Sequence, residues 1–253
     1  MTTERPQPPH APLRQYYGDD QSRPAYVNQL FDDAAEHYEW INKVMSLGSG
    51  EAYRHLALER AGLKSEMRLL DIASGTGLVL RPASRIVGPK GFAVGLDPSA
   101  GMLARSQAQV ALPLVRSRGE TLPFADSQFD FLSLGYGLRH LADLDSLFRE
   151  CFRVLRPGGR VLILEFARPA SRIGFLGSRI YLRTIIPFLT RLGTNSPAAE
   201  LVMRYCWDTV DKLVPVDTVL ASLRGSGFTH VSPRGVFGLF VEFRAEKPPQ
   251  LGT

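Results

Sequence analysis

The sequence predicts an α/β protein built on a doubly wound, mainly parallel sheet, and three observations carry that reading. The apolar run Arg68-Leu69-Leu70-Asp71-Ile72 opens onto small residues and a glycine turn, Ala73-Ser74-Gly75-Thr76-Gly77. A strand buried on both faces delivers its backbone to a ligand in this way, at the carboxyl edge of an open sheet. Next, Gly91-Phe92-Ala93-Val94-Gly95-Leu96-Asp97 repeats the pattern and ends in an acid. Finally, strand-like runs alternate with helical stripes as far as Phe166, which implies right-handed crossovers. The expectation is a Rossmann-like, seven-stranded sheet with a closing antiparallel hairpin and a helical cap.

The turn and the acid define a ligand. Gly75 and Gly77 remove Cβ atoms, so a ligand can approach the main chain and the turn can take positive φ. Leu80 stands where a dinucleotide-binding turn would carry its third glycine, which argues against a pyrophosphate. Asp97 follows the turn by about twenty residues, the spacing at which a carboxylate accepts both ribose hydroxyls. The alternative for Asp97 is a helix cap ahead of Pro98 and Ser99. An adenosine ligand without phosphates fits this combination, and S-adenosyl-L-methionine fits it best.

Taken in order, residues 1–24 carry Pro6, Pro8, Pro9, Pro12 and Pro24 among polar residues and read as a disordered or loosely attached tail. Residues 25–253 read as a single domain. From residue 27 to 45, Phe31, Ala34, Ala35, Tyr38, Ile41, Asn42 and Met45 recur at helical spacing, and a second helix covers about 51–61. These helices precede the first strand and are placed as one part of a cap over the site, with a second part at 170–213. In the core, helices are expected at 78–87 and 102–110, with strands at 114–116 and 129–134. Asp143 caps a helix with the stripe Leu144, Leu147, Phe148, Cys151, Phe152 and Leu155. Pro157-Gly158-Gly159 stops that helix, and 160–166 is the fifth strand. Helices near 197–213 and 216–224 follow, and strands at 228–232 and 236–244 pair around Pro233-Arg234-Gly235.

The chain has 253 residues, 44% of them apolar and 22% charged, as in ordinary globular proteins. Its net charge of +5 predicts attraction to anionic surfaces. Arg168, Arg172, Arg179, Arg183 and Arg191 fall in a stretch without acids between Glu165 and Glu200. Arg172, Arg179 and Arg183 share one helical face, opposite Phe175, Leu176, Ile180, Ile185 and Ile186. Basic residues beside aliphatics suit an anionic membrane surface, not the stacking aromatics of a nucleic-acid site. Cys151 and Cys206 lack metal-ligand spacing, and no metal is expected. No run of about eighteen apolar residues and no apolar signal core occur. The chain is expected in the cytoplasm, peripheral at the inner face of the membrane, with association into a homo-oligomer left open.

The motifs resemble the class I methyltransferases of ubiquinone and menaquinone biosynthesis, the UbiE type. The resemblance rests on Phe31-Asp32-x-x-Ala35-x-x-Tyr38 with Asn42 and Met45-Ser46-x-Gly48, on Leu70-Asp71-Ile72-Ala73-x-Gly75-Thr76-Gly77, and on Leu96-Asp97-x-Ser99-x-x-Met102-Leu103. It continues in Glu120-x-Leu122-Pro123-Phe124, Tyr136-Gly137-Leu138-Arg139, Arg153-Val154-Leu155-x-Pro157-Gly158-Gly159-Arg160 and Leu164-Glu165-Phe166. It implies S-adenosylmethionine contacts from Asp71, Ala73, Gly75, Thr76, Gly77, Asp97, Pro98 and Met102. Arg118 and Gly119 would lie at the adenine and Gly135 beside the sulfonium. The implied substrate contacts are Asn42, Tyr136, Tyr205 and Thr209.

Departures from that pattern fall at the site itself. Arg118 replaces the usual adenine acceptor, Asp or Asn, so Ser117 or a main-chain carbonyl has to accept instead. Gly135 stands for a usual Ser, Leu78 for Asp and His140 for Asn. Met203-Arg204-Tyr205-Cys206-Trp207-Asp208-Thr209 looks like a Tyr-x-Tyr-x-x-x-Ser pattern that has lost one tyrosine.

The implied activity is methyl transfer to a ring carbon of a quinol or related aromatic lipid. That carbon is a weak nucleophile until a neighbouring phenol, titrating near about 10, loses its proton. Arg139 is the candidate for stabilising the oxyanion, His140 for taking the proton, and Tyr38 is the third candidate catalytic residue. Two other functions stay open here: methylation of a soluble aromatic metabolite, and a non-catalytic S-adenosylmethionine-binding subunit of a quinone-synthesis complex.

Overall fold

The computed structural model describes residues 7–19, 21–169 and 171–250. Seven strands form one sheet: β1 (Arg68–Ile72), β2 (Phe92–Asp97), β3 (Leu114–Arg116), β4 (Phe129–Gly135), β5 (Leu155–Phe166), β6 (Thr229–Val236) and β7 (Phe240–Glu246). Their order is β3-β2-β1-β4-β5-β7-β6. The first five are parallel, and β7 inserts antiparallel between β5 and β6. The strand order reverses between β1 and β4, where the crossovers leave on opposite faces and open a crevice at the carboxyl ends.

The helices are α1 (Arg23–Ala34), α2 (Tyr38–Met45), α3 (Gly50–Arg60), α4 (Leu80–Val87), α5 (Ala100–Gln107), α6 (Leu144–Val154), α7 (Arg172–Ile180), α8 (Ile186–Thr194), α9 (Pro197–Lys212) and α10 (Val216–Gly225). On one face of the sheet, Leu144, Leu147, Phe148 and Cys151 of α6 pack with Val219, Leu220 and Leu223 of α10. Leu58 of α3 and Leu80 and Ala83 of α4 cover the other face. A separate core joins α1, α8 and α9 above the crevice. Side chains set the helix starts: Ser99 accepts from Met102 N, Asp143 from Asp145 N and Ser146 N, and Ser196 from Ala199 N.

Four expectations need correction. From Gln7 onward the supposed tail is packed: His10, Leu13 and Tyr17 are buried, His10 bridges Leu213, and Gln7 N donates to Asp143 Oδ1 at 2.8 Å. Prolines suppress regular structure without preventing burial, so the composition resembled disorder; residues 1–6 lie outside the described residues. The helical run 27–45 is two helices, and Phe31 meets Tyr38 edge-on at 6.0 Å across the break. The spacing survives the break because both helices turn the same stripe toward the crevice.

The hairpin turns at Phe237 and Gly238, both with positive φ, and not at Pro233-Arg234-Gly235. Pro233 sits within β6, which is an edge strand and tolerates a missing donor. Lastly, a π-helical turn, Tyr181–Ile185, separates α7 from α8 and shifts the expected helical face. Leu182, Ile186 and Thr190 carry the packing, while Leu176, Ile180 and Ile185 are exposed together with Arg172, Arg179 and Arg183.

Candidate active site

Two cavities open at the carboxyl ends of β1, β2 and β4. The larger, of about 370 Å³, is lined by Ala73, Gly75, Asp97, Pro98, Met102, Arg118, Gly119 and Gly135, all expected from the sequence. Ala73 and Gly75 both take positive φ (52° and 56°), which turns main chain toward the space. Asp97 ends β2. Its Oδ2 accepts from Gly75 N at 2.8 Å and its Oδ1 from Ser99 N at 2.9 Å, so the acid ties the glycine turn to the next helix. Burial raises its pKa to about 6.

Three of the expected cofactor residues lie beneath this cavity and do not line it. Asp71 is fully buried and accepts from Ser133 Oγ at 2.7 Å. Burial raises its pKa to about 7, and the nearby charge of Asp97 adds to the rise. Thr76 is buried, and its carbonyl accepts from Arg81. Gly77 carries a φ of 87°, and a Cβ there would come within 2.9 Å of Ser106 Oγ. These residues shape the turn from below.

The departures at the site have local reasons. A Cβ at Gly135 would lie 2.5 Å from Val79 Cγ2, so the glycine accompanies Val79. Ser117 cannot replace the missing adenine acceptor: its hydroxyl donates to the Thr121 carbonyl at 3.0 Å, and it does not line the cavity. Glu120 does line it. One of its carboxylate oxygens accepts from Ala142 N at 2.7 Å, while Oε2 is buried without a hydrogen bond, 3.6 Å from Arg118 Nε. An acceptor without a hydrogen bond thus lies beside Gly119, and with Asp97 and the glycine backbone it suits an adenosine-type ligand. Pro24, Val27, Asn28 and Phe31 of α1 roof the space. Asp32 of α1 fastens that roof by accepting from Ser99 Oγ at 2.5 Å and Gly101 N at 2.7 Å.

The second cavity, of about 220 Å³, shares Phe31, Tyr38 and Tyr136 with the first, so these three rings stand between them. Tyr136 follows β4 with a φ of 60°, a strained conformation of the kind that gathers at functional sites. The second cavity is walled by Asn42, Met45, Tyr53, Arg54, Arg139, Phe166, Val202, Met203, Cys206, Phe237 and Phe240.

The candidate catalytic residues divide between the two cavities. Arg139 is buried; its Nη1 donates to Glu165 Oε1 at 2.5 Å and to the Tyr136 carbonyl at 2.8 Å, and its Nη2 contacts Cys206 Sγ at 3.1 Å. Its charge is therefore already matched. His140 lines the first cavity, edge-on to Phe31 and stacked on Tyr205. Burial, then the charges of Arg139, His10 and Arg23, hold its pKa well below 6.5, and Nδ1 has no partner. A neutral imidazole of low basicity replaces the proton-holding base that the sequence suggested. Burial also raises the Tyr38 phenol, which stays protonated.

Tyr205 and Thr209 touch neither cavity. Tyr205 lies in a cluster with Tyr16 and Tyr26, and Thr209 donates to the carbonyls of Tyr205 and Cys206 within α9. Val202, Met203 and Cys206 of the same helix line the second cavity instead. Sequence reasoning also missed Arg54 and Tyr53; for α1 it gave the cap and the Phe31-Asp32 motif but not the lining by Pro24, Val27 and Asn28.

Known proteins bear on this geometry. The model of the ubiE/COQ5 methyltransferase family matches residues 19–240. A Pseudomonas paraeruginosa protein named ubiquinone/menaquinone biosynthesis C-methyltransferase UbiE is 32% identical over 230 residues, 88% of this chain and 89% of its own. A protein of the same name from Hahella chejuensis is 35% identical over 175 residues, 66% of this chain and 70% of its own. In fold, the chain is similar to a SAM-dependent methyltransferase from Aquifex aeolicus, with a TM-score of 0.60 at 19% identity, covering 83% of this chain and 97% of that one. With its S-adenosylmethionine-type cavity at the switch point of the sheet, the chain belongs to the ubiE/COQ5 methyltransferase family and is a class I S-adenosylmethionine-dependent methyltransferase.

Proposed function

We propose that the enzyme methylates a ring carbon of a quinol-type aromatic carrying an apolar tail. The observation that carries this reading is the second cavity, largely apolar, which meets the cofactor cavity across Phe31, Tyr38 and Tyr136. S-adenosylmethionine supplies an activated methyl group when bound. The protein's part is to hold the acceptor ring in line with it, and orientation of that kind is worth roughly 7–11 kcal/mol in favourable cases. Asp97 takes the ribose, Glu120 Oε2 and the backbone at Gly119 take the adenine, and Gly135 leaves room beside the sulfur. Phe31 and Tyr136 fix the plane of the acceptor ring. Tyr38 and Asn42 offer polar contacts to its oxygens, and Arg139, held by Glu165, contributes position more than free charge.

The names of the relatives support quinone chemistry, and the α7–α8 surface supports a lipid source. Ile173, Leu176, Ile180, Ile185, Phe188 and Leu192 are exposed there beside Arg172, Arg179 and Arg183, which have no ion pair among the described residues. Such a surface suits the headgroup boundary of an anionic bilayer. No helix among the described residues is long and apolar enough to cross a membrane.

The test supplies S-adenosylmethionine with demethylated benzoquinols and naphthoquinols of short prenyl tail, and identifies the methylated atom by mass spectrometry and NMR. Transfer to a ring carbon, with flotation on anionic vesicles lost when the three arginines become glutamate, is the expected result. Failure with every quinol and turnover of a tail-less aromatic would replace this reading with the soluble-metabolite one.

A further inference from the structure

Arg54, on α3, is only 6% exposed, yet it lines the second cavity. Its one side-chain hydrogen bond is a long one, Nη2 to Asn42 Oδ1 at 3.4 Å, and among the described residues no carboxylate lies within ion-pair distance. Arg139, in the same wall, spends its charge on Glu165. Arg23, the other deeply buried arginine, is held by His10 and the Arg139 carbonyl and lines neither cavity. A guanidinium taken out of water without a counter-ion costs several kcal/mol, so folds rarely keep one by accident.

The surroundings make room for the charge and add to it. A Cβ at Gly50 would stand 2.9 Å from Arg54 Nη1, so glycine at the start of α3 is what lets the guanidinium lie there. Ser49 and Gly50 line the same cavity, and α3 begins without a side-chain cap, leaving first-turn N–H groups on that side. No acid lines the cavity with Arg54; apart from Arg139, the polar side chains that share it are neutral: Asn42, Ser46, Ser49 and the phenols of Tyr38, Tyr53 and Tyr136.

We propose that Arg54 is a substrate-binding residue of the acceptor cavity, set to hold an anionic oxygen borne by the aromatic acceptor. This rests on the reading of that cavity as the acceptor site. The oxygen has two chemical sources: a phenolate formed as a ring hydroxyl binds, or a carboxylate already on the ring. A phenolate held by Arg54 is also the electron-rich form from which a ring carbon attacks; the proton departs to solvent, since His140 is a poor base.

The experiment uses the full chain saturated with S-adenosylhomocysteine, so that the cofactor cavity is filled and its affinity reports the fold. Two probes follow: 4-nitrophenol, whose colour reports ionisation, and 4-nitrobenzoate, already anionic. Bound 4-nitrophenol is expected to ionise about one pH unit below the free phenol, a tenfold preference for phenolate. Arg54→Met abolishes the shift and Arg54→Lys retains part of it. If nitrobenzoate instead binds at least tenfold tighter to the wild type than to Arg54→Met, with nitrophenol unshifted, the oxygen held is a carboxylate. Should Arg54→Met lose S-adenosylhomocysteine binding, Arg54→Gln takes its place. Unshifted nitrophenol together with equal nitrobenzoate affinity in wild type and variant overturns the proposal. No quinol turnover enters these readouts: a shifted probe in a protein that methylates no quinol keeps the anion site and discards the quinol.

Discussion

The two cavities that meet at Phe31, Tyr38 and Tyr136 are built by different means. The cofactor cavity lies at the ends of β1, β2 and β4, where the glycine turn and the glycines at 119, 135 and 137 form its floor and Asp97 ties the turn together. The second cavity is made of side chains from α2, α3, α9, β5 and the β6–β7 hairpin, brought together from across the chain. Backbone geometry constrains the first tightly: a Cβ at Gly119, Gly135 or Gly137 would come within about 3 Å of a neighbour. In the second, side chains make most of the wall, with backbone constraint at Gly50, Tyr136 and Phe237. Substitutions in the first cavity are therefore expected to disturb the sheet edge, and those in the second mainly the side chains that wall it.

That contrast can be broken most directly at Arg139. Arg139→Ala leaves Glu165 buried without its partner, and the expected cost is about 3–5 kcal/mol of folding stability. Denaturant unfolding measures it, and adding Glu165→Gln should recover much of the loss. A loss of S-adenosylhomocysteine affinity in the folded variant would mean that the cavities are not independent.

Beneath the cofactor cavity, Asp71 holds a proton to about pH 7 against an ordinary value of 3.8. Between those values the folded chain keeps a proton that the unfolded chain has released, so unliganded stability falls as pH rises through that window. Asp71→Asn should remove the slope that Asp71 contributes and stabilise the protein at pH 7.5 by as much as about 4 kcal/mol. Equal unfolding midpoints for variant and wild type at pH 7.5 would rule out the buried proton.

Asp97→Ala is expected to weaken S-adenosylmethionine binding by about 1.5–3 kcal/mol, read by calorimetry. Because the ionised carboxylate is a stronger acceptor for the ribose hydroxyls than the protonated acid, affinity should also fall as pH drops through about 6. Gly135→Ala tests the packing behind the same cavity. Its methyl meets Val79, so about 1–3 kcal/mol of stability should be lost, and Val79→Ala should restore it. The smallest effect is expected at Tyr205, whose hydroxyl has no partner and touches neither cavity. Tyr205→Phe should leave both affinities unchanged and, by removing a buried hydroxyl that makes no hydrogen bond, raise stability by about 1 kcal/mol; a tenfold loss of turnover would return it to the substrate site.

The order of strands and helices, the glycine turn and Asp97 were legible in the sequence because each depends on neighbours in the chain. A buried parallel strand needs an unbroken apolar run, a turn against a ligand needs glycine, and a ribose acid follows at the length of one helical crossover. The cap at Asp143 is local in the same sense. Asp71, Thr76 and Gly77 show the limit: the motif names the turn, but which of its residues face the ligand depends on the φ values at Ala73 and Gly75.

Only the tertiary structure decided how charge is shared around the second cavity. On the sequence, Arg139 sits in a motif just beyond the fourth strand, and Arg54 lies within the helix expected at about 51–61. Folding places Glu165 against the first, while no acid of the described residues lies within ion-pair distance of the second. It also lowers the basicity of His140 by enclosing it among Phe31, Tyr205 and three cationic or titratable neighbours. The amino-terminal segment, read as a loose tail, becomes part of that enclosure through His10 and Arg23. Periodicity records which face of an element is buried; it does not record which distant side chain completes a pair, because that partner is fixed by where the sheet and cap bring separate segments together.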